Sequence, residues 1–136
     1  MKLDTHLNFD GDCQAAFEYY AKCLGGKITL MLTYGNSPMA AHVSPEEQGK
    51  ILHATLEIGG QRLAGADIPA GRYGKPQGFS LLLDAETAEE ADRAFGLLAE
   101  GGTLEMPLQE TFWALRFGML VDRYGTPWTI HCGKPA

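Results

Sequence analysis

The chain is predicted to be an α+β protein built from two βαβββ modules, and three observations carry that expectation. Short runs alternate apolar with polar residues between Gly, Pro, Asn and Asp punctuation, which is the pattern of half-buried strands. Two longer runs place apolar residues at helical spacing, and a glycine pair closes each of them. The order of elements also occurs twice: Gly25-Gly26-Lys27-Ile28 follows the first helical run as Gly101-Gly102-Thr103-Leu104 follows the second. The modules are expected over about 1–75 and about 76–136 of a single 136-residue domain.

Residues 2–9 open the first module as a strand, with Leu3, Thr5, Leu7 and Phe9 on one face and Lys2, Asp4, His6 and Asn8 on the other. Asp10-Gly-Asp breaks it. Cys13, Ala16, Phe17, Tyr20 and Leu24 then share one stripe of a helix over 13–24, which Gly25-Gly26 stops. KITLMLTY (27–34) is β-branched and apolar enough for a second strand. Residues 35–50 hold two prolines and no sustained period, so they read as a long binding or lid loop, with one helical turn expected after Ser44-Pro45. ILHATLEIGGQRLAGAD forms two strands joined at Gly59-Gly60, since a two-residue hairpin turn needs positive φ. Leu52, Ala54, Leu56 and Ile58 face one way there, and His53, Thr55 and Glu57 the other.

After a loop over 68–78, FSLLLD (79–84) begins the second module. Thr87-Ala-Glu-Glu90 is a capping box, and the helix it opens carries Ala91, Ala94, Phe95 and Leu98 on one stripe. TLEMPL (103–108), RFGMLVD (116–122) and PWTIHC (127–132) supply three more strands.

Composition narrows the function. A net charge of −6 with no run of Lys or Arg excludes a phosphate-binding surface of the kind nucleic acid needs. No apolar stretch approaches the roughly 20 residues of a membrane span, and the first residues lack the core of a signal peptide. A cytoplasmic protein with no membrane partner is therefore expected. Cys13 and Cys23 lie ten residues apart on one helix and Cys132 has no obvious partner, so all three are expected as inert reduced thiols.

One helix covers one face of a four-stranded unit, so the other face must be met by packing, a partner or a ligand. If the two units join edge to edge, the result is a curved, mixed eight-stranded sheet around a cleft, with the helices on its convex face. Alternation assigns His6, Asn8, His53, Thr55, Glu57, Thr129 and His131 to the concave face, and these are unusually polar for a sheet interior. Gln109, Glu110, Thr111, Phe112, Trp113 and Arg116 crowd the end of the cleft, and Tyr34 can join them. Taken singly, each has an ordinary reading: a histidine bonded to backbone, an exposed ion pair among Glu110, Arg116 and Asp122, aromatics in a core or interface. Together they describe a ligand-binding cleft.

NFDGDCQAAFEYYAKCLGGKI, HATLEIGGQRLAGAD and PLQETFWALRFGMLVDRYGTPWTIHC carry the chain further: across essentially its whole length it resembles the PhnB-like branch of the vicinal oxygen chelate superfamily of glyoxalases, bleomycin-resistance proteins and dioxygenases. That resemblance implies a homodimer with a small-molecule ligand. In the superfamily's enzymes it also implies a divalent metal held by one residue of the first strand and one acid of the last strand in each module. Carried across, these positions look like His6 or Asp4, Glu57, Ser80 and Thr129. Ser and Thr hydroxyls are poor ligands beside His and carboxylate, so no metal or other cofactor is expected. His6, Glu57, His53 and His131 are the residues that would rebuild a metal site. The leading expectation is thus a PhnB-like binding protein without the standard metal. The alternative is a metal-dependent lyase, isomerase or dioxygenase in which Glu57 or Glu110 moves a proton. The branch is also labelled after a ubiquinone-pathway methyltransferase, a reading for which the chain lacks the parallel sheet and the glycine-rich turn after its first strand.

Overall fold

A computed structural model describes residues 1–69 and 71–135. The chain divides into two compact units, Met1–Gly74 and Lys75–Ala136. The first runs β1 (Thr5–Phe9), α1 (Cys13–Leu24), β2 (Lys27–Thr33), β3 (Ile51–Ile58) and β4 (Gln61–Asp67). The second runs β5 (Leu81–Ala85), α2 (Ala88–Ala99), β6 (Thr103–Gln109), β7 (Ala114–Val121) and β8 (Pro127–Gly133). Two helices and eight strands in this order make the α+β, twice-βαβββ fold.

The strands hydrogen-bond as two four-stranded sheets, ordered β1-β4-β3-β2 and β5-β8-β7-β6, where the sequence led us to expect one sheet of eight. Each sheet is mixed for a simple reason. The long loop after Thr33 and the tight hairpin at Gly59-Gly60 make β2, β3 and β4 antiparallel in turn, so β4 runs as β2 does, and the α1 crossover returns the chain parallel to β1. β5 and β8 pair parallel in the same way.

Each helix buries its apolar stripe on its own sheet. Cys13, Ala16, Phe17, Tyr20 and Cys23 are buried on α1, and Ala91, Ala94, Phe95 and Leu98 on α2. Phe17 meets Phe9 edge to face at 5.9 Å between ring centroids, over a strand face that also carries Leu7, Ala54 and Leu56. The fit leaves no room to spare: a Cβ on Gly65 would stand 2.8 Å from Phe17 Cζ. Gly59 and Gly60, with φ of 53° and 81°, make the turn between β3 and β4 as expected.

The two helix starts differ. Thr87 Oγ1 accepts from Glu90 N at 3.1 Å, as the capping box predicts, but the reciprocal Glu90 carboxylate reaches Glu86 N at 3.4 Å, one residue earlier. Asp12 makes no side-chain cap on α1. Asp67, at the end of β4 and 54 residues away, accepts from Cys13 N at 3.0 Å instead. Its other oxygen accepts from Ile51 N at 2.8 Å, so one buried carboxylate ties α1, β3 and β4 together. In the long loop, the turn after Ser44 is a 3-10 helix at Pro45–Glu47, and a second one that the sequence did not signal lies at Ala40–His42.

Candidate functional site

Burial by the helix leaves an open face on each sheet. In module one, strand register places His6, Ala64 and Thr55 side by side on it, with Asn8 and Ala66 in the next row and Glu57 opposite Arg62. His53 lies one step along β3, and its ring stacks on His6 at 6.3 Å between centroids. Alternation therefore assigned His6, Asn8, His53, Thr55 and Glu57 to one face as the structure does. Thr55 spends its hydroxyl locally: Oγ1 lies 2.7 Å from Thr29 Oγ1, because the bulge in β2 between Ile28 and Leu30 presents Thr29 to it.

In module two, the open face carries Leu82, Asp84, Thr129, His131, Phe117 and Met119 in two adjoining rows, with Gln109 beside Phe117 on β6. An aromatic run crosses it. Phe112 meets Trp113 at 4.9 Å, Trp113 meets Phe117 at 5.2 Å and Phe117 meets His131 at 6.4 Å, each edge to face. Phe112 is 90% exposed and Trp113 46%, and such large apolar rings are seldom left to water without a use. Thr111 holds the loop that presents them: its Oγ1 accepts from Ala114 N at 3.1 Å and its N–H donates to Ala114 O at 3.0 Å. His131 Nδ1 lies 2.8 Å from Asp84 Oδ1.

Four of the expected lining residues are engaged elsewhere. Arg116 pairs with the buried Cys132 on the helix side of the sheet, and its Nε donates to Asp92 of α2 at 2.8 Å. That hydrogen bond, with the charge of Asp92, pushes the guanidinium pKa up. Glu110 is in the β6–β7 loop and pairs with Lys134 at 3.4 Å. Tyr34 donates its hydroxyl to Asp67 O at 3.0 Å, in a separate depression with Asp10, Gly11, Glu47 and Lys50. Thr129 Oγ1 is 2.6 Å from Ser80 Oγ, so these two hydroxyls satisfy each other.

The most distinctive stretch of sequence, DRYGTPW, is a folded turn. Asp122 is 3% exposed; its Oδ1 accepts from Tyr124 N at 2.8 Å and Thr126 N at 3.1 Å, and its Oδ2 from Trp128 Nε1 at 2.8 Å. The motif thus shapes the β7–β8 hairpin that carries His131 and Phe117. Asp84 and Phe117 are the functional candidates that sequence reasoning missed. Alternation in FSLLLD does put Asp84 on the same side as Leu82, but pairing it with His131 needs the parallel β5–β8 register.

The positions implied by the resemblance can be placed directly. Glu57 lies on β3, the third strand of its module, opposite Lys27 and Arg62; the last strand, β4, turns Arg62, Ala64 and Ala66 to that face. Among the described residues no three His, Cys, Asp or Glu side chains come together as a group that could hold a metal ion.

The thiols are buried. Burial, then the charges of Asp67 and Asp12, push Cys13 up to about 12 from 9.0. Native Cys13 is therefore expected to resist iodoacetamide at about pH 8, where the denatured chain reacts, because the thiolate is the nucleophile. Rapid native labelling at Cys13 in a peptide map would contradict this. On unfolding the thiol releases its proton at lower pH, so this contribution to stability is full below 9.0 and is lost as pH climbs toward 12.

Comparison with known proteins adds three likenesses and a family. Residues 1–131 match the family model described as 3-demethylubiquinone-9 3-methyltransferase. Protein PA1353 from Pseudomonas aeruginosa is 39% identical, with 99% of both chains covered and a TM-score of 0.90. The PhnB protein from Bacillus cereus is 29% identical over 98% of this chain and 100% of its own, with a TM-score of 0.81. A glyoxylase/bleomycin resistance protein/dioxygenase domain from Frankia sp. EAN1pec shares the fold, at a TM-score of 0.68 and 13% identity over 98% of both chains. No helix among the described residues is long and apolar enough to cross a membrane.

Proposed function

From a chain that belongs to the family described as 3-demethylubiquinone-9 3-methyltransferase, in the PhnB-like branch of the glyoxalase, bleomycin resistance and dioxygenase superfamily, we propose a small-molecule-binding protein that works without a resident metal. The observation that carries this reading is the run Phe112, Trp113, Phe117 and His131 on the open face of module two. Aromatic walls bury a ligand's apolar surface at little conformational cost, and Gln109 and His131 at the same face offer the polar groups that orient it.

Donor chemistry supports the metal-free part. Two of the four positions implied for a metal hold hydroxyls bonded to each other, and the open face of β4 offers alanines and an arginine. These residues do not fit a divalent ion. The stacked His6 and His53 rings are the single feature that favours the alternative, a rebuilt site for lyase, isomerase or dioxygenase chemistry. Metal analysis of protein purified without chelator separates the two: stoichiometric zinc, nickel or manganese lost on His6→Ala would overturn the metal-free reading.

Methyl transfer does not suit this fold. A Rossmann-type methyltransferase binds its nucleoside donor at the glycine-rich turn of a parallel sheet covered by helices on both faces, and each module here is a mixed sheet with one helix.

Ligand binding is tested by a thermal-shift screen. A ligand at 100 times its Kd should stabilise the native state by about 2.7 kcal/mol. Trp113→Ala, a half-exposed position, should leave the unliganded melting temperature within roughly 2 °C, in line with surface substitutions, while most of the ligand-induced shift disappears. A full shift in the variant would move the site off this face. The protein is read as a cytoplasmic homodimer, the dimer being supported by Leu30 on β2 and Leu104 on β6, both exposed on outer strands. Sedimentation at micromolar concentration should give a dimer, and a clean monomer would remove this part.

A further inference from the structure

We propose that Asp84 and His131 form a hydrogen-bond-accepting pair that selects a phenol, an aromatic ring bearing its own hydroxyl, as the class of ligand for this face. The proposal rests on the binding reading above and deepens it.

An ionised carboxylate only accepts hydrogen bonds, so the 2.8 Å contact to Asp84 Oδ1 requires the proton on His131 Nδ1. In the neutral ring the other nitrogen, Nε2, is then a bare acceptor. Nε2 has no protein partner among the described residues. The neighbouring polar group in the adjoining row, Thr129, is already bonded to Ser80. His131 Nε2 is thus an acceptor open to a ligand, and it stands at the end of the aromatic run, with Phe117 edge to face beside it.

A ring lying along Trp113 and Phe117 satisfies the aromatic wall, and a hydroxyl on that ring satisfies Nε2. Charge decides against an anionic head group: Asp84 is 69% exposed by its side chain and sets a negative charge at this end of the face. A neutral hydroxyl donor meets both conditions. Asp84 is a positioning residue here, because it acts through the tautomer it imposes on His131.

The test compares p-cresol with 4-methylanisole, in which a methyl group replaces the donor hydrogen. Binding is followed by NMR of the intact protein at about pH 8 through the Trp113 indole resonance, with the ring nitrogens of His131 reporting the tautomer. The expected result is an Nδ1–H tautomer and p-cresol binding roughly fivefold tighter, the worth of one net hydrogen bond. In Asp84→Ala the tautomer is released and the preference should fall toward unity while 4-methylanisole keeps its affinity. His131→Phe, which retains a ring, should abolish the preference in the same way. A purely structural role for Asp84 would weaken both ligands alike. Equal affinities in the unaltered protein, or a preference that survives both substitutions, would overturn the assignment. If neither compound moves Trp113 while another ligand does, the phenol assignment falls and the binding face stands. If no ligand moves Trp113, the face falls too.

Discussion

Asp122→Ala is expected to destabilise the protein by about 4 kcal/mol, a fall of roughly 10–15 °C in melting temperature for a chain of this size. Three donors lose their carboxylate acceptor at once: the backbone N–H groups of Tyr124 and Thr126 and the indole N–H of Trp128. Asp122 and Trp128 are both 3% exposed, so water cannot replace the lost oxygens without opening the hairpin. Asp122→Asn sharpens the point. Its single oxygen can serve the two backbone donors, which leaves its amide facing the indole, donor against donor. Adding Trp128→Phe to Asp122→Asn removes that clash, so the double variant should be more stable than the sum of the two single changes predicts. Denaturant unfolding of the four proteins measures this. Strict additivity would mean that the carboxylate–indole bond contributes nothing. The same variants bear on binding, since the hairpin they loosen carries Phe117 and His131.

Asp67→Asn should cost about 2–3 kcal/mol, because a carboxylate that accepts from Cys13 N and Ile51 N becomes a group with one oxygen and one donor. Either the first turn of α1 or the start of β3 then loses its partner. A second readout separates this from general damage. Asp67 is the second cause, after burial, of the raised Cys13 thiol, so removing its charge should lower the Cys13 pKa part of the way and speed native alkylation modestly. Unchanged stability in urea would show that neither bond matters to the native state. Faster unfolding without any change in Cys13 labelling would show that the electrostatic link is absent.

Both carboxylates show what was legible in the chain and what was not. Asp122 was visible only as a member of an exposed ion pair with Glu110 and Arg116, because the sequence shows its charge and not the N–H groups of Tyr124, Thr126 and Trp128 that it meets. The turn folds those groups onto Asp122, and the chemistry is spent on structure. Asp67 gave no signal, since its bond to Cys13 spans 54 residues and sequence pattern reports only near neighbours. Arg116 failed for a related reason. Alternation along β7 puts Arg116 on the helix side with Gly118 and Leu120, where its side chain reaches Asp92 on α2, a partner 24 residues away. Glu57 was misplaced by strand count: it is on β3, whereas the last strand of its module is β4.

Local chemistry by itself determined the element order, the two helices, the hairpin at Gly59-Gly60, the capping threonine at position 87 and the face shared by His6, Asn8, His53, Thr55 and Glu57. Each follows from a period of 3.6 or 2 residues or from a φ that only glycine readily adopts, and such rules act within a few residues. Tertiary structure alone decided which strands pair, that β1 and β5 run parallel to β4 and β8, and therefore that Asp84 meets His131 and Ser80 meets Thr129. The physical reason is that a parallel pair is joined through a crossover helix and two further strands, so its register is set by packing of the whole module and is not written in any one segment.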